Sequence, residues 1–68
     1  MIIQNRKFQL GEKVALLDEV LDNFSFACGI IVKYVDTLAM EPVYEIELDI
    51  TRRRVLKSEN ALRRWTKI

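Results

Sequence analysis

The residues best equipped for chemistry lie near the end of this 68-residue chain. Arg52-Arg53-Arg54, Lys57, Arg63, Arg64 and Lys67 form a cationic tract, with Trp65 inside it. Guanidinium groups bind phosphate bidentately, and contact with a polyanion releases its counterions. An aromatic ring among cations stacks a base while its neighbours hold the backbone. Arg53, Lys57, Arg63, Arg64, Trp65 and Lys67 are therefore the candidate nucleic-acid contacts. The same tract has a purely structural explanation. If 43–49 and 52–57 pair as a hairpin around Ile50-Thr51, Asp49 faces Arg52 and Glu47 faces Arg54 on the solvent side. Ile46 then faces Val55 on the core side. Opposite charges paired across strands contribute about 0.2–1 kcal/mol each, and they need no ligand. A Trp on a strand of so small a chain also serves core or rim packing.

The second candidate is the stretch Asp18-Glu19-Val20-Leu21-Asp22-Asn23-Phe24-Ser25-Phe26. Exposed apolar residues rimmed by charge mark a surface for a partner protein. Val20, Leu21, Phe24 and Phe26 are the candidate protein contacts. The alternative is that they fold back as a lid on one end of the domain. Glu45, Glu47 and Asp49 share one strand face, but a flat face does not wrap a hard cation in six to eight oxygens. They read as solvent-facing. Cys28, the single cysteine, abuts Gly29 and a β-branched run, which suits a buried inert thiol.

Catalysis finds little support. There is no His to act as base for Cys28, Ser25 or Ser58, and two glycines make no phosphate loop. One Cys without His excludes a disulfide and a tetrahedral zinc shell. No cofactor and no metal are expected, and the chain is expected not to be an enzyme. Eleven Lys and Arg against ten Asp and Glu give a net charge of +1, but unevenly. Residues 1–49 hold four basic and nine acidic side chains; residues 50–68 hold seven basic and one acidic. Such asymmetry hints at an anionic partner, or at neutralisation within the molecule. No apolar run approaches the roughly 20 residues of a membrane span. The N-terminus carries no signal-peptide pattern, and the lone thiol suits a cytoplasmic setting.

Residues 1–68 make one domain, with 1–7 free to be a flexible N-terminus. Half the residues are apolar, yet a chain of this size buries only about 60% of its unfolded surface. Good packing, oligomerisation or a partner must supply the rest. Phe8 to Leu17 reads as a short lead-in, a Gly11 turn and a strand, with Val14 and Leu16 inward. Asp18 to Ala27 reads as an acidic loop, and Cys28 to Val35 as a β-branched strand. Val43 to Ile50 alternates most clearly, with Tyr44, Ile46, Leu48 and Ile50 on one side. Arg52 to Lys57 is another strand, Ser58 to Leu62 a single turn capped by Ser58, and Arg63 to Ile68 a last short strand. The predicted core is Val14, Leu16, Ile30, Val32, Tyr44, Ile46, Leu48, Val55 and Leu62. One competing pattern exists. Leu17, Val20, Leu21 and Phe24 recur at helical spacing, so 12–24 also fits a helix on a three-stranded antiparallel sheet, an α+β fold.

This order of elements resembles the SH3-like barrel. The resemblance rests on Leu10-Gly11-Glu12-Lys13-Val14, Gly29-Ile30-Ile31-Val32, Tyr44-Glu45-Ile46-Glu47-Leu48 and Ser58-Glu59-Asn60-Ala61-Leu62, and covers residues 8–67. It implies an all-β fold of five short strands with one 3-10 turn, of the small prokaryotic or phage type. The chain departs from signalling SH3 domains: it lacks an Ala-Leu-Tyr-Asp-Tyr stretch, a Trp opening the third strand and a Pro in the final turn. A proline-rich ligand is therefore not implied. The expected function is a binding module or accessory subunit acting on a protein partner or a second copy of itself. The alternative is a nucleic-acid-binding module that uses the 52–67 basic face.

Overall fold

The structure is a computed structural model that describes residues 6–20, 25–36 and 40–65. The strands are β1 (Lys13–Val20), β2 (Phe26–Val35), β3 (Val43–Leu48), β4 (Arg54–Ser58) and β5 (Leu62–Arg64). A 3-10 turn, Glu59–Ala61, separates the last two. All join one antiparallel sheet in the order β4-β3-β2-β1-β5. The fold is all-β, as the alternation predicted. β4 and β5 are its two edges, and no pairing joins them among the described residues.

The helix considered over 12–24 does not form across 13–20, which are strand; 21–24 lie outside the described residues. The two-residue period of Val14 and Leu16 prevails because β1 has a ladder on both sides. Val14 pairs with Gly29 of β2 and Arg64 of β5, and Leu16 with Ala27 and Leu62. Both side chains are buried. The strand also runs three residues further than the sequence suggested, to Val20. Between the pairs Leu16–Ala27 and Val20–Phe26, Leu17, Asp18 and Glu19 have no counterpart on β2. Extra residues on one strand bend it.

The core is Phe8, Val14, Leu16, Ile31, Tyr44, Ile46 and Leu62, with Tyr34, Leu48 and Val55 packed against it. Two expected members are corrected. Ile30 is 41% exposed, and Val32 is only half-buried and outside the cluster. The cause is Gly29. A Cβ there would lie 2.5 Å from Ile46 Cγ2 and 2.6 Å from the Glu47 carbonyl oxygen, so the position faces inward and must be glycine. Ile30 then points out and Ile31 in. A register shift between Ile31 and Lys33 resets the alternation, and Tyr34 pairs with Tyr44.

At the other hairpin, Ile46 pairs with Val55 and Glu47 with Arg54, the register read from the sequence. The strands are shorter than expected. Ile50 leaves the predicted apolar row and is exposed in the turn. That turn has no Gly or Asn; Arg52 takes the left-handed conformation instead, at φ 62°. Ser58 occupies the cap position without a side-chain cap bond. Glu59 N–H donates to the Pro42 carbonyl at 2.9 Å, and Asn60 N–H to Glu41 Oε2 at 3.3 Å. Pro42 and Glu41 therefore do the capping that Ser58 was expected to do.

Candidate functional site

Most of the cationic tract is held by carboxylates of the same chain. Arg54 reaches Glu45 Oε2 at 3.4 Å and Glu47 Oε1 at 3.5 Å. Arg52 reaches Glu47 Oε2 at 3.5 Å. The expected partner of Arg52, Asp49, instead meets Lys13 at 3.0 Å. Asp49 sits in the turn rather than in the ladder, and its backbone N–H donates to the Cys28 carbonyl at 3.0 Å, on the side of the sheet where Lys13 lies.

Lys57 and Arg64, both candidate nucleic-acid contacts, are also engaged. Lys57 Nζ donates to Asp18 Oδ2 at 3.0 Å and Glu19 Oε1 at 3.2 Å, with its side chain only 16% exposed. The bend in β1 brings those two carboxylates to β4. Hydrogen bonding to Asp18, more than the opposing desolvation, raises the Lys57 pKa and keeps its charge. Arg64 donates to Glu12, and that bond holds the Glu12 carboxyl below its ordinary range. Arg53 and Arg63 are exposed and make no ion pair among the described residues. Trp65 sits at the rim beyond β5, 39% exposed, with the Lys13 ammonium 4.5 Å from its ring centre. Lys67 lies outside the described residues.

The protein-contact candidates divide similarly. Val20 and Phe26 are register partners at the end of the β1–β2 pair, 61% and 45% exposed. Asp18 and Glu19 flank them on β1. Leu21 and Phe24 lie outside the described residues. Ile30, Leu56 and Ile50 add further exposed apolar side chains. Cys28 is half-buried rather than buried, with its thiol 3.7 Å from the Phe26 carbonyl oxygen. Among the described residues no group of three or more His, Cys, Asp or Glu is arranged to hold a metal ion. No described helix is long and apolar enough to cross a membrane.

Four interacting groups had no local signal in the sequence. Glu12 with Arg64, Lys13 with Asp49, Lys57 with Asp18 and Glu19, and Glu59 with Tyr44 join residues distant along the chain. Only the strand order brings them together. Comparison of the chain with known protein families, with curated proteins and with solved structures finds no match.

Proposed function

We propose that this chain is a non-enzymatic SH3-like binding module that engages a protein partner through the apolar end of the β1–β2 hairpin. The observation that carries the reading is the exposed pair Val20 and Phe26, set side by side and flanked by Asp18 and Glu19. Two large apolar side chains at a hairpin end contribute little to the core and present area to a partner. The internal ion pairs of Arg52, Arg54, Lys57 and Arg64 speak against a polyanion as the main ligand. The lone unpaired thiol supports a cytoplasmic setting.

The test is site-specific photo-crosslinking in the producing cell, with a benzophenone side chain at position 26 and, as control, at position 54. The reading expects a discrete protein adduct from position 26 that Val20→Asp abolishes, and none from position 54. An adduct of the chain with itself identifies a second copy as the partner. Absence of any adduct from position 26 contradicts the reading. A second reading, nucleic-acid binding, rests on Arg53 and Arg63, the described cations of the tract without an ion pair. It predicts a steep loss of affinity with salt and a weakening from Arg53→Ala and Arg63→Ala alike.

A further inference from the structure

The segment ahead of β1 is held in an unusual way. Four successive backbone N–H groups donate to side-chain oxygens rather than to a strand. Lys7 donates to Glu59 Oε2 at 2.9 Å and Phe8 to Tyr44 Oη at 3.3 Å. Gln9 donates to Glu12 Oε1 at 3.1 Å and Leu10 to Tyr34 Oη at 3.2 Å. Tyr44 O–H in turn donates to Glu59 Oε2 at 2.6 Å, so one phenol–carboxylate pair receives two of the four amides. Above them, the Arg6 guanidinium lies 4.4 Å from the Tyr34 ring centre and 5.7 Å from that of Tyr44. Phe8 meets Tyr44 edge to face at 5.7 Å and is fully buried.

The boundary of this segment is sharp. Backbone bonding to the sheet begins only at Gly11, whose N–H donates to the Ile31 carbonyl, and at Glu12, whose carbonyl accepts from Ile31. Gly11 has φ +86°, and a Cβ there would meet nothing within 4 Å. A left-handed glycine in open space, placed where the ladder starts, is a ready hinge.

We propose that residues 6–10 form a strap that opens about Gly11 as one cooperative unit, before the sheet unfolds, with Tyr44 and Glu59 as its latch. Opening withdraws Phe8 and Arg6 and uncovers the rings of Tyr34 and Tyr44. The physical basis is that segments lacking ladder bonds open at lower free energy than the strands they cover. Cooperativity follows from the shared acceptors: Glu59 and Tyr44 hold adjacent amides and each other, so losing one loosens the next. The proposal does not depend on the partner reading.

Native-state amide hydrogen exchange on the full chain, with rising urea, tests it. Lys7, Phe8 and Leu10 are expected to exchange at least about tenfold faster than Ile31 and Ile46 and to share one urea dependence. Tyr34→Phe removes only the acceptor of Leu10, yet should speed Lys7, Phe8 and Leu10 alike, by about fivefold for one lost hydrogen bond. Glu59→Gln keeps an acceptor and should speed the same amides less than Tyr44→Phe does. If Tyr44→Phe does not fold, the Tyr34→Phe result decides alone. Strap amides that exchange together with Ile31 and Ile46 overturn the proposal. So does a Tyr34→Phe effect confined to Leu10, which is independent fraying.

Discussion

Two backbone positions carry the most at the residue scale. At Gly29 the nearest atoms to an added Cβ include the Glu47 carbonyl oxygen at 2.6 Å, a backbone atom fixed in the ladder. Gly29→Ala is expected to destabilise the fold by roughly 1–3 kcal/mol, the cost of overpacking, measured by urea denaturation. Arg52 carries the opposite prediction. A β-carbon costs about 1–2 kcal/mol in the left-handed region, and the Arg52–Glu47 pair it would forfeit is exposed. Arg52→Gly should therefore raise the unfolding free energy by about 0.5–1 kcal/mol, after the flexibility glycine adds to the unfolded chain, seen as a higher urea midpoint. A lower midpoint would mean that the ion pair outweighs the strain. These two residues also mark where the sequence was legible. The β3–β4 register followed from alternation and charge alone, even though its turn residue was atypical. The face of β2 did not, because Ile30, Ile31 and Val32 are equally apolar and only the approach of β3 to Gly29 decides which points inward.

Electrostatics is organised by whole elements. Arg52, β4 and the residues after it bring cations to carboxylates on β3, on β1 and at Glu12 just ahead of β1, which is why the +6 of the last nineteen positions is not a +6 surface. The hairpin half of that was readable, since Glu47 and Arg54 are close in sequence. The Lys57 bridge was not, because it depends on the bend of β1 at Leu17 to Glu19, a stretch that reads as loop. Glu12 and Arg64 give a pH prediction. The Arg64 hydrogen bond lowers the folded Glu12 pKa, so the stabilisation is complete above the unfolded carboxylate range, near 4.3, and is lost as pH falls through the folded value. Wild type and Glu12→Gln should differ by roughly 0.2–1 kcal/mol at pH 7 and converge as pH falls through the lowered Glu12 pKa, by denaturation across that pH range. A difference that stays constant with pH would mean that the charge of Glu12 contributes nothing to stability. At the hairpin end, Phe26→Ala should change stability by no more than about 0.5 kcal/mol in urea denaturation, as suits an exposed position away from the core, while abolishing the partner adduct of a benzophenone side chain placed at position 20 instead of 26.

For the molecule as a whole, the strand arrangement separates two surfaces that composition alone does not distinguish. One is a cationic tract in which Arg52, Arg54, Lys57 and Arg64 have carboxylate partners in the same chain; the other is the exposed pair Val20 and Phe26 at the end of the β1–β2 ladder. The fold class, the succession of strands and 3-10 turn along the chain and most of the core were legible because period-two alternation is strong in β1 and β3. The division of the cations was not, since it depends on which strands become neighbours. The most direct measurement is an amide-resolved NMR titration of the full chain with short single- and double-stranded oligonucleotides, at low and then moderate salt. The account predicts no shift changes along residues 52–65 even at low salt. Salt-sensitive shifts centred on Arg53, Arg63 and Trp65 would contradict it and make the basic face the binding surface.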